Sequence, residues 1–347
     1  MRGDSDSKAR TGLFYARKSL TLFIRALSWL GLIGMTTWGT LAIYYSNLPP
    51  MVREACSVFY AFTAVGVLVW VRPWRRAVAV FLAGFAVVLL GWLAIPARND
   101  RNWQPDVAVL PYATFEGDLV TVHNIRNFDY RSETDFTPAY YDKTFDLRKL
   151  ESVNLIAVYW MGPAIAHTFL SFGFDGGDHL AISIETRKEQ GEEYSTIKGF
   201  FKQYELYYVV ADERDVIRLR TNYRKDPPED VYLYRSHGPI ENGRRLFLEY
   251  LREINLLKEE PEFYNTVTTN CTTTIWQNTR INPDHLHFSW KILLSGYVPE
   301  YMYEVGRLDT SLPFPELKAR SLINSRAQAA DQDPDFSRRI REGLPGF

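Results

Sequence analysis

The chain is 347 residues long and carries 40 Lys and Arg against 41 Asp and Glu, a formal net charge of −1. Such a length suggests about two modules, and so even a balance of charge gives no footing for a nucleic-acid partner. Aromatic residues make up 15% of the chain, which suits membrane-interface side chains together with a well-packed, β-rich domain.

The first hundred residues contain three uncharged runs, at 26–45, 55–71 and 77–97. A helix needs roughly 20 apolar residues to cross the hydrocarbon, with a lower limit of about 17. The first and third runs meet this and the second sits at the short end. The first is too long for a cleaved signal peptide, and it ends in bulky Tyr44, Tyr45 and Pro49 where a cleavage site would need small residues. Three transmembrane helices over 26–97 are therefore expected behind a short cytoplasmic N-terminus, 1–25. Lys8, Arg10, Arg17, Lys18 and Arg25 precede the first run, and Arg72, Arg75 and Arg76 separate the second from the third; the link 46–54 has only Arg53 as a cation. The positive-inside rule puts the N-terminus and the 72–76 loop in the cytoplasm. Three crossings then leave everything after Arg98 outside, facing the periplasm or cell exterior at a bacterial inner (cytoplasmic) membrane.

Residues 98–116 read as a polar, Pro-containing linker. From Gly117 onward β signals dominate: apolar and polar residues alternate over 118–125 and partly over 153–160. Two β-prone runs, 167–174 and 180–185, flank Asp175-Gly-Gly-Asp178, a strong hairpin signal. Further strands are expected at 207–210 and 231–234. Leu246, Phe247, Tyr250, Leu251, Ile254 and Leu257 recur at helical spacing within 240–258, an amphipathic helix. A shorter helix is expected to start at Cys271 and run through Thr279. The outward-facing part, 117–312, thus reads as an α+β domain with the sheet first and the helices late, followed by a polar tail, 313–347.

Of two cysteines, Cys56 falls near the start of the second span and Cys271 lies alone in the exported domain. A lone cysteine there is a buried small hydrophobe, an intermolecular link or a reactive thiol. The local sequence Thr-Thr-Asn270-Cys271-Thr-Thr-Thr favours the last. Asn270 is a good N-cap, which sets Cys271 at the first helical position, against unpaired amides and the positive end of the helix dipole. A thiol pKa falls in that setting, and the same amides could donate to an oxyanion. Against this, β-branched threonines are poor helix formers.

A thiol nucleophile needs a base, normally histidine. If Asp175, Gly176 and Gly177 form the hairpin loop, His167 falls opposite Glu185, on one face and with Cβ atoms about 5 Å apart; Glu185 could then orient the imidazole and support its charge. A two-residue Gly176-Gly177 turn would instead pair His167 with Thr186 and send Glu185 to the other face. Ser183 and Asn270 are candidate supporting residues. His179, at the edge of the turn, more naturally faces solvent but could act as a polar third member. Arg187 could bind a lipid phosphate or carboxylate, or pair with Glu185. His123 reads as a half-buried strand residue and His237 as loop. His285 and His287 have a spacing that can bind metal on a strand, yet no acid or cysteine cluster accompanies them, so neither metal nor cofactor is expected. Gly199-Phe200-Phe201 and Tyr207-Tyr208 could line an acyl groove but read more simply as core, and Ala211-Asp-Glu-Arg-Asp215 reads as a solvated turn with an Arg214 ion pair.

The blocks AHTFLSFGF, SIETRKEQGEEYS, YELYYVVADERD and YNTVTTNCTTT resemble the bacterial family named for the periplasmic domain of the lipoprotein N-acyltransferase Lnb, over roughly 118–307. The order of a strand histidine first and a helix-tip cysteine last, the cysteine preceded by Asn270, is also similar to the permuted papain-like fold of lecithin:retinol acyltransferase relatives and NlpC-type hydrolases. The resemblance implies Cys271 as nucleophile, His167 as base, a thioester intermediate, and a membrane lipid or lipoprotein as substrate. In the Lnb enzyme the periplasmic domain precedes the membrane part; here the order is reversed. Two other functions stay in view: a non-catalytic, membrane-tethered domain binding a lipid or envelope partner, with Cys271 inert, and a cell-wall amidase of NlpC type.

Overall fold

The structure, a computed structural model, describes residues 3–347, with side chains from Arg17 on. The side chains of Lys8 and Arg10, on which part of the orientation argument rests, lie outside the described residues. Contacts divide the chain into two compact units, 1–96 and 97–347.

The first unit is three helices: α1 (Gly3–Tyr44), α2 (Pro50–Trp70) and α3 (Trp74–Leu93). Pro50 stands at the first position of α2, where its missing N–H costs nothing. Arg17–Tyr44, Pro50–Trp70 and Trp74–Leu93 are each long and apolar enough to cross a membrane. Phe23, Leu30, Phe59, Phe62, Val87 and Leu90 point outward from them, as lipid-facing side chains do. A small cluster of Leu32, Ala64, Leu68 and Phe81 joins the three.

The second unit mixes sheet and helix. Its strands are β1 (Tyr112–Glu116), β2 (Leu119–Arg126), β3 (Asp129–Tyr130), β4 (Phe136–Thr137), β5 (Tyr140–Asp146), β6 (Leu150–Tyr159), β7 (His167–Phe174), β8 (His179–Arg187), β9 (Glu205–Asp212) and β10 (Asp230–Arg235). The main sheet runs β1-β2-β9-β8-β7-β6-β10, with β5 also paired to β2; β3 and β4 form a separate ribbon. After β9 come α4 (Glu213–Arg218) and a π turn, Leu219–Tyr223. After β10 come α5 (Ile240–Glu259), α6 (Cys271–Thr279), α7 (Trp290–Leu293), α8 (Val298–Glu304), α9 (Phe314–Arg320), α10 (Asn324–Ala329) and α11 (Phe336–Arg339).

Every residue of β7 is buried, because the sheet is covered on both faces. Alternate residues of each strand serve opposite layers, as the two-residue period of a strand requires. Leu170, Phe172, Leu180, Ile182 and Tyr208 pack beneath α5, whose Leu246, Phe247, Tyr250, Leu251, Ile254 and Leu257 form its buried stripe. Phe169, Ala181, Tyr207, Val209, Val231 and Leu233 face the other way, toward Val216 and Ile217 of α4.

Two segments do more than their composition suggests. Trp103 and Val107, in the expected linker, join the second layer. Residues 313–347, read from composition as a polar tail, supply Ile323, Ala327, Ala330, Phe336, Ile340 and Leu344 to the same layer. Their apolar residues are sparse but all point one way, across short helices too brief for a periodicity to register. Phe336 is fully buried, so Phe336→Ala should destabilise the domain by about 3–5 kcal/mol, read as a lower thermal midpoint of the whole protein.

Candidate active site

The β7–β8 hairpin sets the register on which the site depends. Phe174 N–H donates to Asp178 O at 2.8 Å, and Gly176 and Gly177 both take positive φ, +92° and +86°, which glycine tolerates without strain. The loop is therefore Asp175-Gly176-Gly177. Leu170 pairs with Ile182 and Gly173 with His179; the same register carried to the open end sets His167 opposite Glu185.

His167 Nε2 lies 3.0 Å from Glu185 Oε1 and 2.7 Å from Ser183 Oγ. Ser183 is fully buried, and its hydroxyl donates to Glu185 Oε1 at 2.8 Å. On its far side Glu185 accepts from Arg220 Nη2 at 2.8 Å. Arg220 sits in the π turn and also faces Glu229, which Arg224 reaches at 3.0 Å. The result is a buried chain of alternating charge, His167–Glu185–Arg220–Glu229–Arg224, in which each ion has a partner, as burial demands. Nothing near His167 in the sequence announces Arg220: the two are joined only by the fold.

Cys271 stands at the first position of α6. Asn270 caps this helix: its side chain accepts from the Thr272 and Thr273 amides at 3.0 and 2.9 Å, and the Thr273 hydroxyl answers the Asn270 amide at 3.0 Å. This capping box overrides the poor helix propensity of the threonines. It also consumes two of the amides that an oxyanion might have used. Loss of the cap in Asn270→Ala should cost about 0.5–2 kcal/mol, measured by denaturant unfolding, and should slow thiol alkylation at neutral pH.

Cys271 and His167 meet at the start of β7, more than a hundred positions apart in sequence. The thiol and imidazole are hydrogen-bonded, and the Thr168 backbone N–H also donates to the sulfur; Thr272 Oγ1 lies 3.7 Å from it. Cys271 keeps partial exposure. Burial pushes the Cys271 thiol up, but the imidazolium charge, its hydrogen bond and the Thr168 and Thr272 donors outweigh this and bring it down to about 7. Burial works against the His167 cation too, yet Glu185, opposed by Arg220, and then the thiolate lift it to about 9. Burial also opposes ionisation of Glu185, but His167 and Arg220 hold its carboxyl well below the usual carboxylate range. Between about pH 7 and 9 the favoured state is thiolate beside imidazolium.

The remaining sequence candidates lie elsewhere. Arg187 is buried with its guanidinium 4.2 Å from the Trp103 ring centroid and 5.4 Å from that of Tyr207. It donates to Val107 O, Ala108 O and Asn99 Oδ1, so it clamps the 99–108 segment to β8 rather than pairing with Glu185. His179 is at the turn end of the hairpin, bonded through Nδ1 to Gly177 O, roughly 20 Å along the hairpin from His167's end. His123 pairs with Asp142 at 2.7 Å, and His237 N–H bonds Arg307 O. His285 and His287 lie outside any strand. Phe201, Tyr207 and Tyr208 are buried core. The Asp212–Asp215 cluster is no solvated turn: Asp215, fully buried, accepts from Arg126, the Phe128 N–H and Tyr130, and Glu213 is held by Arg341 and Ser171.

No curated protein and no solved structure matches the chain. Residues 136–296 match the family model described as the Lnb N-terminal periplasmic domain. The matched stretch runs from β4 to just before α8 and contains His167, Ser183, Glu185, Arg220, Asn270 and Cys271. This is a membrane protein with a periplasmic domain, and through that domain the chain belongs to the Lnb N-terminal periplasmic domain family.

Proposed function

We propose that the 97–347 unit is a thiol enzyme that transfers or hydrolyses acyl groups outside the cytoplasmic membrane, with the N-terminus and the 72–76 loop inside. The observation that carries this reading is the hydrogen-bonded pair of Cys271 at a helix tip and His167 on a strand, backed by Glu185 and Arg220. The strand-histidine, helix-cysteine order supports a permuted papain-like arrangement. Neither Arg187 nor His179 has a part in it.

In this mechanism the Cys271 thiolate attacks the carbonyl carbon of an ester or amide. The oxyanion takes hydrogen bonds from backbone amides at the tip of α6 and at Thr168. As the tetrahedral intermediate collapses, His167 gives its proton to the departing oxygen or nitrogen and a thioester remains. An amine or a water then attacks the thioester, His167 takes up its proton, and thiolate and imidazolium are restored. With Nε2 held by Glu185 and Ser183, Nδ1 is the nitrogen turned to the sulfur. Ser183 and Glu185 fix the ring and stabilise its charge, and Arg220 keeps Glu185 ionised.

The test is active-site labelling followed by product analysis. A thiol-directed probe should label wild type but not Cys271→Ala, and His167→Ala should label far more slowly. Mass spectrometry of lipoprotein N-termini from cells with and without the gene should show an acyl chain that changes position. Labelling indifferent to His167 would instead support the tethered binding domain, and release of muropeptides would point to an amidase.

A further inference from the structure

On the α5–α6 side of the sheet lies a cavity of about 400 Å³, within the usual range for a small-ligand site. Val153, Leu155 and Leu170 of the sheet, Leu246 of α5, Ile275 of α6 and Met302 of α8 give it an apolar wall. Its edge also includes Thr168 and Thr272, the two residues whose N–H and hydroxyl contact the Cys271 sulfur. Thr168 is fully buried, and its Oγ1 has no hydrogen-bond partner among the described residues. A buried hydroxyl left unpaired in an apolar recess is costly unless an occupant reaches it. The charged chain from His167 to Arg224 does not line this cavity, and Asp284 and Arg307, which do, are paired with each other at 2.9 Å.

We propose that this cavity is the binding site for a linear aliphatic chain, whose carbonyl is thereby delivered between Thr168 and Cys271. The inference rests on the thiol reading for the carbonyl's fate but not for the chain's binding. The aliphatic chain could belong to a diacyl phospholipid, a lipidated peptide or a free fatty acid; the wall reads only what these share. Burial of each methylene should improve reaction about fourfold until the cavity is full.

The experiment uses the full chain in nanodiscs, with p-nitrophenyl acetate, butyrate and octanoate as acyl donors and Cys271 acylation read by intact mass. Wild type should show kcat/KM rising steeply along the series. Ile275→Trp and, separately, Met302→Trp fill the recess and should flatten that rise; each variant's rate of alkylation by iodoacetamide normalises the comparison. A flat series in wild type, or a steep one that neither variant changes, overturns the inference while leaving the thiol reading intact. If no donor acylates Cys271, the thiol reading fails and the cavity is judged by binding alone. A fluorescent fatty acid should then bind Cys271→Ala and lose at least tenfold in affinity with Ile275→Trp added; no binding overturns the proposal. Competition by phospholipid, by a diacylated peptide and by free fatty acid separates the sources.

Discussion

Alkylation of Cys271 in wild-type protein should follow a titration near pH 7, and replacement of His167 by alanine should move that titration up by about one to two pH units and cut the rate at pH 7 by at least tenfold. The sign follows from the pair. The sulfur is brought down to about 7 chiefly by the imidazolium, working against burial; without His167 only the burial penalty and two weaker donors remain. Turnover has a second limb. The proposed reaction needs thiolate and imidazolium together, so it should rise through about 7 and fall as His167 loses its proton near 9. Glu185→Gln removes the charge that raises His167, so the alkaline limb should move down while the acid limb moves up. A pH–rate profile of kcat/KM measures both. A profile with limbs unmoved by Glu185→Gln would dismiss the carboxylate's role.

The second large effect should come from a residue remote from the thiol. Asp215→Ala should destabilise the domain by about 3–5 kcal/mol. Asp215 is fully buried, and its carboxylate is the partner of the Arg126 guanidinium, at 2.7 Å, and of the Phe128 N–H and Tyr130 hydroxyl. Removing it strands a buried cation and two donors at once, whereas removal of an exposed pair such as Arg131–Asp135 should change stability by no more than about 1 kcal/mol. Thermal unfolding of the two variants side by side gives the comparison. Asp215→Asn should fall between, since it keeps the shape and loses the charge.

The fold was legible where periodicity is strong. The hairpin follows from Asp175-Gly176-Gly177-Asp178, α5 from its apolar stripe, and α6 from Asn270 before Cys271. Even the register opposite His167 was one of two stated alternatives, and the three-residue loop decides for Glu185. What escaped has a common physical cause: it depends on partners far along the chain. Arg220 pairs with Glu185 across 35 positions, and no local pattern marks it. Glu213 and Asp215, acids in a charged run, look solvated until Arg341 and Arg126 arrive from elsewhere. Arg187 follows Glu185 by two and so shares its face of β8, but its longer reach carries the guanidinium away, to the rings of Trp103 and Tyr207. The cavity was illegible because its wall is drawn from β6, β7, α5, α6 and α8 together.

The bond between Glu213 and Arg341 spans 128 positions, and it closes the layer behind the sheet only when the last helices arrive. Loops of that length close slowly. A chain crossing the membrane from its N-terminus must therefore present β6 and β7, its most apolar strands, to the extracytoplasmic space well before their cover has been synthesised. Maturation of this protein should accordingly be limited by the emergence of residues 336–344, and a stop codon ahead of Phe336 should yield an aggregating product rather than a trimmed, working one.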